Sequence, residues 1–113
     1  MSVKRGEVWL ANLDGAVGCE LQGDHPVVII QNDVGNAHSP TTVIAPITSA
    51  YKRIYITQVR VPAGTANLKK DSEILLNQIR TLDKTRLKFK IGTFEGETLK
   101  AINFAIKFSL GVD

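Results

Sequence analysis

Four branched apolar residues in a row, Val27 to Ile30, stand between His25-Pro26 and Gln31-Asn32-Asp33. A run this short and this rich in β-branched side chains, closed off on both sides by turn formers, reads as a strand with apolar neighbours on both faces. Proline at its first residue is tolerated because the missing N–H costs little there, and it presses the preceding residue toward extended geometry. The chain must therefore build a sheet around residues 26–31. His25 then sits where a loop enters that sheet, a place where chemistry is commonly mounted on a rigid frame.

Further strands are expected on both sides. EVWLA (7–11) follows Gly6, and TTVIAPIT (41–48) is β-rich, with Pro46 placing its far end at an edge or a bulge. IYITQVRV (54–61) alternates with period two, setting Ile54, Ile56, Gln58 and Arg60 on one face and Tyr55, Thr57, Val59 and Val61 on the other. SEILLNQIRTL (72–82) and residues 87–94 complete the set, while the glycine-punctuated segment after the first strand and NDVGNAHSP (32–40) read as loops. Only the tail has helical spacing. From Glu97 to Leu110, Leu99, Ile102, Ile106 and Leu110 form one stripe and Ala101, Phe104, Ala105 and Phe108 a second, with Lys100, Asn103 and Lys107 between them and Gly111 as the stop. One sheet face cannot cover two such stripes, so the helix is either wrapped by the domain or buried against a second copy. The class is mainly β with one helix: a small, strongly bent antiparallel sheet closing toward a barrel, with a C-terminal helix.

At 113 residues the chain suits a single domain, 1–113, and 43% hydrophobic with 22% charged residues is the composition of a globular fold. The net charge of +3 permits an anionic partner without demanding one. No apolar run approaches a membrane span and the N-terminus lacks a signal-peptide pattern, which points to a cytoplasmic protein with no membrane role. Cys19 is the single cysteine, so no intrachain disulfide can form, and it reads as a small loop residue rather than a nucleophile.

Hydrolysis or transesterification needs a proton acceptor, a proton donor and a group that stabilises developing charge. The sequence contains no H-E-x-x-H, no G-x-S-x-G and no phosphate-binding G-x-x-x-x-G-K-[ST]. Its two histidines, His25 and His38, have no clustered Cys or carboxylates around them, so neither a metal nor another cofactor is expected. His38 reads as a solvated loop residue. His25 is open to two readings, a polar strand-entrance residue bonded to nearby backbone or an active group, and Thr48 to the same pair. On residues alone the chain is a basic β domain with a histidine at a strand entrance.

The blocks VKRGEVWLANL, VGCELQGDHP, PVVIIQNDVGNAHSPT, VIAPIT, SEILLNQIRTLDKTRL and FSLG, in that order over nearly the whole chain, resemble the MazF/PemK family of toxin endoribonucleases, or mRNA interferases. The resemblance implies a PemK/CcdB-type fold, an SH3-like bent antiparallel barrel with a C-terminal helix, assembled as a homodimer. It implies metal-independent cleavage of single-stranded mRNA by 2′-OH attack, leaving a 2′,3′-cyclic phosphate and a 5′-hydroxyl, and a MazE-like antitoxin whose disordered tail folds over the RNA groove.

In that family the central residue is an arginine directly before the proline of the strand, assisted by a threonine at the end of the next strand. Thr48 matches the threonine, whereas His25 stands at the arginine position. A guanidinium grips two phosphate oxygens with a fixed charge, while an imidazole makes one bond per nitrogen but moves protons well at neutral pH. Two expectations follow: either His25 is an acid or base, with Thr48 donating to a nonbridging oxygen and Arg53 or Lys52 replacing the lost charge, or the site is weakened or silent and still binds RNA or antitoxin. The resemblance also implies RNA contacts from Glu20, Asn77, Gln78 and Arg80, since amides and guanidinium groups read the edges of unstacked bases. Leu21-Gln22 and Asp24 depart from the residues common in that loop, so no cleavage motif is inferred. Gyrase poisoning, known on the same fold, leans on a C-terminal tryptophan, and the only tryptophan here is Trp9.

Overall fold

Val27, Val28 and Ile29 are each 0% exposed, flanked on both sides by antiparallel neighbours in a seven-stranded sheet. The computed structural model describes residues 2–18, 20–49 and 55–113. Its elements are β1 (Glu7–Asn12), β2 (Asp24–Ile29), α1 (Asp33–His38), β3 (Thr41–Thr48), β4 (Gln58–Val61), β5 (Ser72–Leu75), β6 (Arg80–Asp83), β7 (Leu87–Thr93) and α2 (Gly96–Leu110). The sheet runs β4-β5-β3-β2-β1-β7, with β6 paired to β3 off this path. It does not close by a β4–β7 ladder. Instead the 3₁₀ turn Thr65–Asn67, between β4 and β5, packs on β7, and Asn67 Nδ2 donates to the Ile91 carbonyl at 2.9 Å. Gly92 makes this contact possible, because a Cβ there would meet the Ala66 carbonyl oxygen at 2.2 Å.

β3 is the spine. It pairs with β2 on one side and, on the other, with β5 near its end and β6 near its start. The single strand expected over 72–82 is thus two strands in line. Ile47 faces Ile74 but Ile44 faces Arg80, so three steps along β3 match six along the partner, and the excess is thrown out as a turn at Asn77-Gln78. The alternation over 54–61 yields a ladder only at Gln58–Val61; Ile56 and Thr57 lie in a turn, and Ile54 is outside the described residues.

The segment 32–40, expected to be a loop, contains α1. Asn32 caps it by accepting from Gly35 N–H at 2.8 Å, and Asn36, 2% exposed, holds it to the sheet. The Asn36 amide donates to the Gln31 carbonyl and its oxygen accepts from Thr42 Oγ1 at 2.8 Å. Helix α2 buries Ile102 and Ala105, with Leu99 and Ile106 half-buried, against Val8, Val28, Ala45, Ile47 and Phe94. Of the second stripe only Ala105 joins it: Phe104 and Phe108 are 61% and 52% exposed. A second core lies on the other face of the sheet, around Ala11, Leu13, Val27, Ile29, Ile44, Leu82 and Leu87. Among the described residues no helix is long and apolar enough to cross a membrane.

Candidate nucleic-acid interface

The β2–β3 ladder sets Val27 opposite Pro46 and Ile29 opposite Ile44. The ladder ends at the Val27–Pro46 pair, with His25 two residues before Val27 and Thr48 two residues beyond Pro46, so both lie at the same end of the two adjacent strands. On its other side Thr48 faces Glu73 of β5. His25 is half-buried and no hydrogen bond ties its imidazole to another described residue, so the backbone bond of its structural reading is not made. Thr48 is buried, 7% exposed.

Both residues line a cleft of about 680 Å³ at the open side of the sheet. Its floor and walls are Pro26, Ile47, Leu68, Ile91 and Phe89; its cations are Lys69, Lys70 and Lys90. Among the described residues in its lining there is no carboxylate. Lys90 Nζ is held by Glu7 Oε2 at 2.9 Å, behind the cleft wall. Burial works against ionisation of Glu7, but the Lys4 backbone N–H, the Lys90 ammonium and the Trp9 indole N–H outweigh it and keep the carboxyl below its ordinary range. The cleft is therefore an apolar slot with a positive rim, the form that suits an anionic chain carrying flat apolar groups.

A second, smaller cleft of about 160 Å³ gathers Glu20, Leu21, Pro46, Asn77, Gln78 and Arg80. Four of the residues expected at an RNA groove are thus brought together, although Glu20 lies far from the rest in sequence. Pro46 lies two residues before Thr48 on β3, so the smaller cleft adjoins the end of β3 that contributes Thr48 to the larger. Some of these groups already have structural work. Gln78 Oε1 accepts from Leu21 N–H at 3.2 Å and Arg80 reaches the Leu13 carbonyl at 3.4 Å, tying the β1–β2 loop to the sheet. Glu20 Oε1 accepts from Val17 N–H at 2.6 Å within the loop. Arg53 and Lys52, expected to supply charge, and Cys19 lie outside the described residues. Sequence reasoning missed Lys69, Lys70, Phe89 and Lys90. The available signal was two lysine-bearing segments, one in the bend before β5 and one on β7, brought together by the closing turn.

The sequence from residue 4 to residue 110 matches the model of the PemK-like, MazF-like toxins of type II toxin-antitoxin systems. The chain belongs to that family. The toxin is 48% identical over 111 residues to Endoribonuclease MazF of Staphylococcus saprophyticus, covering 97% of this chain and 92% of that one. The enzyme class expected from the sequence agrees with that name. Solved structures of similar fold include an endoribonuclease in complex with its cognate antitoxin from a Mycobacterial species, with TM-score 0.83 and 24% identity over 98% of this chain and 97% of that one. Another is MazF from Deinococcus radiodurans, with TM-score 0.84 and 19% identity over 99% of each chain.

Proposed function

We propose that this toxin is a homodimeric, cytoplasmic endoribonuclease that cuts single-stranded mRNA without a metal ion, leaving a 2′,3′-cyclic phosphate and a 5′-hydroxyl. The observation that supports the reading is that His25 and Thr48, at the same end of the adjacent strands β2 and β3, both line one basic cleft. The ribose 2′-oxygen attacks the adjacent phosphorus as its proton leaves, and the bond to the 5′-oxygen breaks as that oxygen gains a proton. With one imidazole in the wall, His25 serves one of these transfers and solvent the other, while Thr48 Oγ1 donates to a nonbridging oxygen. Glu20, Asn77, Gln78 and Arg80 contact bases beside the cut, and Arg53 adds charge.

The partner is a MazE-like antitoxin, whose acidic tail suits the same positive rim. The exposed Phe104 and Phe108 supply an apolar face for the second subunit. A second reading, a silent protein that binds RNA or antitoxin without cutting, is favoured by His25 alone, since an imidazole cannot form the bidentate phosphate clamp of an arginine.

The test is incubation with a long single-stranded RNA in EDTA. Discrete fragments ending in a cyclic phosphate are expected, with losses of about 10²–10⁴-fold in His25→Ala. Fragments that need magnesium would refute the chemistry. A His25→Arg variant that cuts where the present protein does not would establish the silent reading.

A further inference from the structure

We infer that RNA crossing the His25–Thr48 pair continues over a platform that reads no sequence, in which Phe89 stacks on a base and Lys69 and Lys70 neutralise the phosphates beside it. The inference rests on the ribonuclease reading above and extends it from the amide-bearing cleft to the larger one.

Phe89 is 56% exposed in the lining of the larger cleft. It lies in a cross-strand row with Leu10 and Pro26, two strand spacings, about 10 Å, from Pro26; alternation gives His25 the neighbouring row with Ala11 and Leu87, and Phe89 and His25 both border the larger cleft. Lys69 and Lys70 come from the opposite wall. They follow the turn Thr65–Asn67, which is fastened to β7 by Asn67 and closed by Gly64 N–H donating to the Leu68 carbonyl at 2.7 Å. Ala66 and Asn67 are held at φ 50° and 62°, conformations that side-chain-bearing residues adopt reluctantly, so the surrounding contacts define the turn. The two lysines are thereby kept at a set distance from Phe89. Neither has an acidic partner among the described residues, whereas Lys88 and Lys90 on β7 pair with Asp24 and Glu7.

An exposed ring among uncommitted cations is the arrangement that holds single strands without preference for base, because every base offers a π face. The smaller cleft differs in kind: its amides and guanidinium can read base edges. A polymer whose scissile phosphate lies at His25 and Thr48 must extend both ways; these two residues line the larger cleft, and Pro46, two residues before Thr48, lines the smaller.

The test compares a long RNA oligonucleotide spanning a mapped cut with versions trimmed close to the cut at one end or the other. Phe89→Ala should raise KM about tenfold on the long RNA with kcat within about twofold, and Phe89→Tyr should restore it. The loss should vanish on the RNA trimmed at one end and persist on the other. Lys69→Ala/Lys70→Ala should reduce the slope of log(kcat/KM) against log[salt] by about 1.4, the share of two phosphate contacts on a single strand. Wild-type protein that cuts while these variants behave like it would overturn this inference alone. Wild-type protein that leaves RNA intact would overturn both readings. Variants that cut normally but are no longer inhibited by polyglutamate would assign the platform to an acidic peptide and overturn the inference.

Discussion

Gly92→Ala tests how the open sheet is closed. An added Cβ would stand 2.2 Å from the Ala66 carbonyl oxygen, 2.6 Å from its carbon and 3.0 Å from Ala66 Cα, all of them backbone. Gly92 does not have a positive φ, so an alanine can take its conformation and only the close approach resists. Ordinary carbon contacts lie near 3.5–4.0 Å, so the turn at 65–67 must lift by on the order of 1 Å. Overpacking of this kind costs about 1–3 kcal/mol. Loss of the Asn67–Ile91 bond, made at 2.9 Å, adds up to about 1 kcal/mol. A total near 3 kcal/mol lowers Tm by about 10 °C in a domain of this size. Thermal melts and urea titrations of wild type and variant measure it. A variant melting within about 1 °C of wild type would show that β7 and the turn are not in the contact described, and with it the fixed placement of Lys69 and Lys70 would go.

Glu7, held below the ordinary carboxyl range, stabilises the fold above its unfolded pKa of about 4.3 and ceases to as pH falls through its lower folded value. The urea midpoint of Glu7→Gln should therefore fall less between pH 7 and pH 3 than that of wild type; equal falls would refute it. Asp33 is lowered chiefly by the Arg5 backbone N–H and Asp83 chiefly by the Thr85 hydroxyl, so both act in the same direction. Arg60 Nε meets Glu73 Oε1 at 2.6 Å, and Glu73 is 5% exposed with Oε2 unpartnered. Arg60→Leu should thus cost about 2 kcal/mol more in urea unfolding than Glu73→Val, which removes the buried charge itself. Replacing Phe104 and Phe108 together by serine should shift the mass measured by light scattering from two chains toward one, with little change in the monomer fold; an unchanged dimer would place the interface elsewhere.

Much of the architecture could be read locally. The Val27–Ile30 run, the β-rich 41–48 and the 3.6-residue spacing from Glu97 to Leu110 correspond to β2, β3 and α2, because strand and helix periods are properties of neighbouring residues. Residues 32–40, dense in turn formers, read locally as a loop, whereas the structure places α1 there. What decides there is Asn36, buried among Gln31 and Thr42, a network no local pattern announces. Likewise, 72–82 has the composition of one strand, and only pairing with both halves of β3 breaks it at Asn77-Gln78.

The candidate site divides in the same way. His25 and Thr48 were legible as strand-end residues, and their likeness to a known pattern singled them out. That they reach the same end of adjacent strands follows from the β2–β3 register, which depends on which side chains the sheet must bury on each face. The lysines and Phe89 of the larger cleft could not be placed from the chain alone. Lys69-Lys70 and Phe89 meet across a gap that no ladder spans, bridged by a turn whose approach to β7 depends on the missing Cβ of Gly92. By itself, then, the sequence determined most of the strands, the C-terminal helix and the family, since those rest on periodicity and order along the chain. Tertiary structure alone decided which cations and which ring share a cleft with His25, since that depends on contacts between segments whose spacing in sequence carries no signal.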